Sequence, residues 1–72
     1  MKKIEVIIER SKDLFTAYSN NCEGIYGAGN TIEEVKEDVR TSIEQIKKEI
    51  PEGRWPDEIK GEYELSFKLD NV

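Results

Sequence analysis

The sequence predicts an α+β domain with the order β-β-β-α-β: a four-stranded mixed sheet of strand order 3-2-1-4 with one helix packed on one face. Three observations carry this reading. Residues 3–10 and 62–70 alternate apolar and polar side chains with a period of two, as strands with one buried face do. Between them, Ile32, Val35, Val39, Ile43, Ile46 and Ile50 recur at spacings of three or four, which places them on one face of a helix. Thr31 and Glu34 open that run with the spacing of a capping box, in which the Thr hydroxyl accepts the Glu34 N–H and the Glu34 carboxylate reaches back to the Thr31 N–H.

Taken in order, the first strand sets Ile4, Val6 and Ile8 against Lys3, Glu5, Ile7 and Glu9. Ser11-Lys12-Asp13 is a short polar break, and residues 14–18 have the β-branched and aromatic content of a second strand, so the two form a hairpin. Ser19-Asn20-Asn21 is a turn, because Ser and Asn side chains bond to nearby backbone. Residues 24–29 are a weaker third strand whose glycines, Gly24, Gly27 and Gly29, mark bulges or the close approach of another backbone. Acids Glu33 and Glu34 near the helix start and Lys47 and Lys48 near its end suit the macrodipole, and the face with Glu33, Glu37, Arg40, Glu44 and Lys47 is expected to be solvated. Pro51 and Gly53 stop the helix. The last strand alternates Tyr63, Leu65, Phe67 and Leu69 with Glu64, Ser66 and Lys68. A helical crossover leads to a parallel strand in the same sheet, most simply beside the first, which gives the order 3-2-1-4.

With 72 residues, the span 1–72 is read as one small domain. Such a domain buries only roughly 60% of the surface of its unfolded chain, which leaves sheet edges and a sheet face for a partner. A homo-oligomer, dimer or higher, is therefore expected, with Tyr63, Leu65, Phe67 and Leu69 of the terminal strand as its interface. Sixteen acidic side chains stand against 11 basic ones, a formal net charge of −5. That balance weighs against direct nucleic-acid binding and favours a basic partner. The absence of His and the single Cys22 exclude His-based triads and Cys/His zinc sites, and no cofactor is expected. No apolar run approaches the roughly 20 residues of a membrane span. Met1-Lys2-Lys3 leads directly into a strand, so a soluble, cytoplasmic protein is expected.

The short β-β-β-α-β layout, the strand containing Phe15-Thr16-Ala17-Tyr18 and the spacing Gly24-x4-Gly29-x-Thr31-x-Glu33-Glu34 together resemble the HicB antitoxin family, whose fold is a truncated RNase H-like domain. The resemblance covers residues 3–50. Glu23 stands where the family often has Pro, Cys22 precedes the glycine instead of following it, and Asn30 replaces Asp. The resemblance implies binding without catalysis: the antitoxin of a type II HicAB toxin–antitoxin system, which neutralises a small basic HicA-like ribonuclease that cuts messenger RNA. Family members commonly carry a DNA-binding segment after the sheet. Residues after Asp70 are too few to form one, so the expectation is a domain without DNA binding or the N-terminal domain of a longer chain.

The candidate partner-binding residues are Glu5, Glu9, Asp13, Glu23 and Trp55, chosen for charge and exposure. Gly24, Gly29, Thr31 and Glu34 are read as structural: with Glu23, Glu33 and Glu34 adjacent, the glycines suit turns and bulges better than an anion cradle. Glu23 beside Cys22 disfavours a reactive thiolate. Glu5, Glu9 and Glu64 resemble the metal-binding acids of a two-metal nuclease, but a charged strand surface explains them more simply. Trp55, between Pro51 and Pro56, either caps the open end of the core or anchors a partner. The alternative function is a small ligand-sensing or self-assembling domain of the same fold without a toxin partner.

Overall fold

A computed structural model describes residues 1–70; residues 71 and 72 of the expected domain lie outside the described part. The elements are β1 (Lys2–Ser11), β2 (Leu14–Ser19), β3 (Tyr26–Gly29), α1 (Ile32–Glu49), two 3-10 turns (Glu52–Arg54 and Asp57–Ile59) and β4 (Tyr63–Asp70). The sheet order is β3-β2-β1-β4, as the alternation and the crossover argument require. β1 pairs antiparallel with β2 and parallel with β4, and β2 pairs antiparallel with β3.

The pair Ser11 with Leu14 leaves Lys12 and Asp13 as a two-residue hairpin loop, and Lys12 carries a φ of 54°. β3 is shorter than the sequence suggests because Gly24, at φ 83°, turns the chain and Ile25 dives into the core with 1% exposure. Between β2 and β3, the Asn21 side chain takes over the role of a strand backbone. Its Oδ1 accepts the Glu5 N–H at 3.0 Å and its Nδ2 donates to the Lys3 carbonyl at 2.9 Å, so β1 remains hydrogen-bonded past the end of β2.

At the start of α1 the Thr31 hydroxyl accepts the Glu34 N–H at 3.1 Å. The Glu34 carboxylate differs from the expected box: it passes the Thr31 N–H and accepts the Asn30 N–H at 2.9 Å. Asn30 lies just beyond Gly29, the last residue β2 pairs, so its N–H lacks a strand partner and Glu34 supplies one. The helix stops at Ile50, whose extended φ of −113° and ψ of 133° match the restriction that Pro51 imposes on its predecessor.

Val35, Val39 and Ile43 of α1 meet Ile4, Val6 and Ile8 of β1 in a core that also takes in Ala17, Ile25 and Ile59. Burying an Ile side chain contributes about 1.5–3 kcal/mol, so these few residues supply much of the stability of so small a domain. The helix does not span the whole inner face: it packs on β3 and β2. It settles there because β3 presents glycines. A Cβ on Gly27 would sit 2.8 Å from Val39 Cγ2, and one on Gly29 would sit 2.6 Å from Glu34 Cβ.

Over β1 and β4 the inner face is closed differently. Ile59 in the second 3-10 turn is fully buried, and Lys2 Nζ fixes that turn by donating to the carbonyls of Asp57 (2.6 Å) and Lys60 (3.0 Å). The helix side chains expected to be solvated are so. Glu33, Glu37, Arg40, Glu44 and Lys47 are all exposed, and Arg40 and Lys47 also lean toward β4 together with the half-buried Lys36. Lys36 Nζ lies 5.3 Å and Arg40 Cζ 5.8 Å from the Phe67 ring centre, and Lys47 Nζ lies 4.9 Å from that of Tyr63. Steps of three and four along a helix bring these side chains to the seam, where their stems cover the rings and their charged heads stay wet.

Candidate functional site

The face of the sheet opposite α1 has no element packed on it among the described residues. Strand register decides what it displays. Tyr26 on β3 lies beside Tyr18 on β2, Tyr18 beside Ile7 on β1, and Ile7 beside Lys68 on β4, so one row crosses all four strands. Ile7 is only 9% exposed, sheltered between its neighbours, while Tyr18 and Tyr26 are 39% and 66% exposed. Tyr26, Tyr18 and Ile7 of this row make an apolar strip that ends at Lys68 on a mostly polar face.

Acids flank the strip. On one side Glu9 stands next to Asp70, and on the other are Glu5, beside Ser66, and Glu64, beside Lys3. Among the described residues the ion pairs are Lys36–Glu33, Arg40–Glu37 and Lys60–Asp57, all between residues three apart in sequence. Glu5, Glu9, Glu64 and Asp70 therefore have no cation within ion-pair distance. A solvated apolar strip bordered by unpaired carboxylates can bind a surface that carries Lys or Arg around an apolar centre.

The five candidate contact residues do not form one surface. Glu5 and Glu9 share the outer face of β1, with Ile7 between them. Asp13 sits in the hairpin loop beyond the Glu9 end of that strand. Glu23 lies in the loop at the other end, along a shallow groove with Ile46, Ile50, Arg54 and Pro56. Trp55 belongs to the opposite side of the sheet. It packs against the core, donates its indole N–H to the Ile50 carbonyl at 2.7 Å, and has Lys47 Nζ 5.8 Å from its ring centre. The Trp55 ring thus closes the open end of the core below the helix.

Tyr18 and Tyr26 were not singled out from the sequence, because they become neighbours only once the 20–25 loop has fixed the register. Ile7 did carry a signal: it is the one apolar residue in the outward-facing set Lys3, Glu5, Ile7, Glu9.

The loop between β2 and β3 directs its polar groups inward. The Ser19 hydroxyl accepts the N–H groups of Asn21 (3.3 Å) and Cys22 (3.1 Å), and Ser42 Oγ donates to the Gly24 carbonyl at 3.2 Å. Cys22 is 4% exposed, and burial, with Glu58 and Glu23 nearby, pushes its thiol from the ordinary 9.0 up to about 11. At neutral pH it is a protonated core residue. Among the described residues no three His, Cys, Asp or Glu side chains converge so as to hold a metal ion, and no helix is long and apolar enough to cross a membrane. No protein-family model, curated protein or solved structure matches this chain.

Proposed function

We infer that this domain is an antitoxin-type interaction module, which works in the cytoplasm and covers a small basic HicA-like ribonuclease with the outer face of its sheet. The observation that carries the reading is the row Tyr26, Tyr18 and Ile7 bordered by the acids Glu5, Glu9 and Asp70, which have no ion-pair partner among the described residues, on a face that no described element covers. The net charge of −5 supports it, as does the resemblance of residues 3–50 to the HicB family. Charge complementarity of this kind acts mainly on encounter and specificity, and the apolar strip supplies the contact that slows dissociation.

The test mixes the purified chain with a small basic ribonuclease encoded beside its gene and follows both association and RNA cleavage. The expected result is inhibition of cleavage, with an association rate that falls as salt screens the charges. Glu5→Lys combined with Glu9→Lys weakens binding by about tenfold or more and restores cleavage, with the circular dichroism spectrum unchanged. Full inhibition by that double variant rejects this face as the interface. Failure of the unmodified chain to bind such a ribonuclease rejects the antitoxin reading. The unpaired β4 edge then favours the second reading, a self-assembling domain of the same fold.

A further inference from the structure

The two edges of the sheet are built differently. At β3 the edge is only four residues long, and the helix blocks it, with Asp38 Oδ2 accepting the Ala28 N–H at 2.9 Å. At β4 an eight-residue strand pairs with β1 on one side, and among the described residues nothing hydrogen-bonds to the backbone on its other side. An open edge of that length is a template for another strand. The inner face beside it is only partly closed: Lys36 and Arg40 of α1 reach over the Phe67 ring, Leu65 and Phe67 are half-buried, and Leu69 is 53% exposed.

We propose that β4 pairs antiparallel with β4 of a second copy of this chain, about a two-fold axis that passes perpendicular to the sheet through Ser66, to make one eight-stranded sheet. The register follows from face and charge. A perpendicular two-fold keeps the helix-bearing faces together, so opposed residues must share a face of the strand. With the axis at Ser66, Glu64 stands opposite the second copy's Lys68, and Lys68 opposite its Glu64, on the outer face. On the inner face Leu65 meets Phe67 and Tyr63 meets Leu69.

Neighbouring registers lose these matches. An axis at Phe67 opposes Glu64 to Asp70, like against like. An axis at Leu65 pairs only residues 63–67 within the strand and leaves Leu69 opposite Gly61, whereas the axis at Ser66 pairs residues 63–69 and sets only Asp70 opposite a residue outside the strand, Glu62. The occupant is a second copy because this one strand carries both halves of each charge pair. Pairing there consumes both open edges, and the outer edges of the joined sheet are the two β3 strands that Asp38 already blocks. The inference goes beyond the antitoxin reading and does not rest on it, since Tyr18 and Tyr26, on β2 and β3, stay clear of the seam.

The test uses the full chain alone, with no ribonuclease present. Sedimentation or light scattering is expected to give twice the chain mass of 8.3 kDa at micromolar concentration. Lys68→Glu sets a carboxylate against Glu64 at both ends of the seam and raises the dimer dissociation constant about tenfold or more. Glu64→Lys does the same, and the two changes together restore wild-type association. In a Cys22→Ala background, Ser66→Cys forms an intermolecular disulfide on mild oxidation because residue 66 faces itself, whereas Lys68→Cys does not. A monomeric wild type overturns the proposal. So does a dimer that is indifferent to the single reversals, or a double reversal that fails to restore the dimer while its circular dichroism stays native.

Discussion

Asp38 and Ala28 join helix to sheet edge: the Asp38 carboxylate accepts the Ala28 backbone N–H at 2.9 Å, across a gap of 10 residues in sequence. The contact is possible because Gly27 and Gly29, on either side of Ala28, let α1 settle almost onto the β3 backbone. A short edge strand closed by a charged side chain is poorly suited to pairing with another molecule. The same few residues therefore set the helix position and the inertness of one edge.

Replacing that acceptor should be measurable. Asp38→Ala removes a charge-assisted hydrogen bond and leaves the Ala28 N–H to water, which lowers stability by about 1 kcal/mol. Hydrogen exchange at Ala28 accelerates, and the chemical denaturation midpoint falls. Asp38→Asn keeps an acceptor and loses less. Unchanged exchange at Ala28 in the Ala variant would show that the contact does not persist in solution.

The glycines separate into positions that need the absence of a Cβ and one that does not. Gly29→Ala forces its new methyl to 2.6 Å from Glu34 Cβ and 3.0 Å from the Val35 nitrogen, so helix or strand must shift. The expected loss is about 1–3 kcal/mol, typical of overpacking. Gly53→Ala meets nothing within 4 Å and is expected to be neutral or slightly stabilising through the unfolded state. Thermal unfolding of the two variants side by side checks this, and equal midpoints would refute it.

Much of the fold was legible because its signals are local. Period-two alternation in β1 and β4, the Thr31 cap and Pro51 fix where elements lie, and the crossover rule fixes how four strands order themselves. What stayed hidden depends on where side chains arrive in space. That Asn21 stands in for a strand backbone, that Glu34 reaches Asn30, and that Arg40 and Lys47 turn toward β4 are outcomes of packing. The outer-face row was hidden for the same reason, since Tyr18 and Tyr26 are eight positions apart in the chain and adjacent only in the register.

Cys22 yields a pH prediction. Its thiol is raised from 9.0 to about 11 in the folded chain, so the unfolded chain releases that proton first as pH rises. The neutral thiol's contribution to stability is complete below pH 9 and is lost as pH climbs through about 11. Lys and Tyr groups also titrate in that range, so the comparison is with Cys22→Ala, which lacks this component and loses less stability over the same interval. In the native state the alkylation rate keeps rising beyond pH 9 without a plateau. A plateau near pH 9 would mean that the thiol is exposed to solvent.

The last prediction concerns Tyr18 and Tyr26, whose rings form the exposed part of the outer-face row. If that face covers a basic ribonuclease, these rings are the large, stiff contact area and the surrounding acids only guide the approach. Tyr18→Ala with Tyr26→Ala should then speed dissociation at least tenfold while association and its salt dependence stay nearly unchanged. Glu5→Lys with Glu9→Lys should do the reverse, slowing association most. Tyr18 and Tyr26 are 39% and 66% exposed in the free chain and Tyr18 shelters Ile7, so losing both rings lowers stability by about 1–2 kcal/mol and leaves the fold in place. Binding kinetics for the two double variants, with denaturation curves as the control for folding, separate the roles. A tyrosine variant that dissociates at the wild-type rate would place the contact elsewhere than on this row.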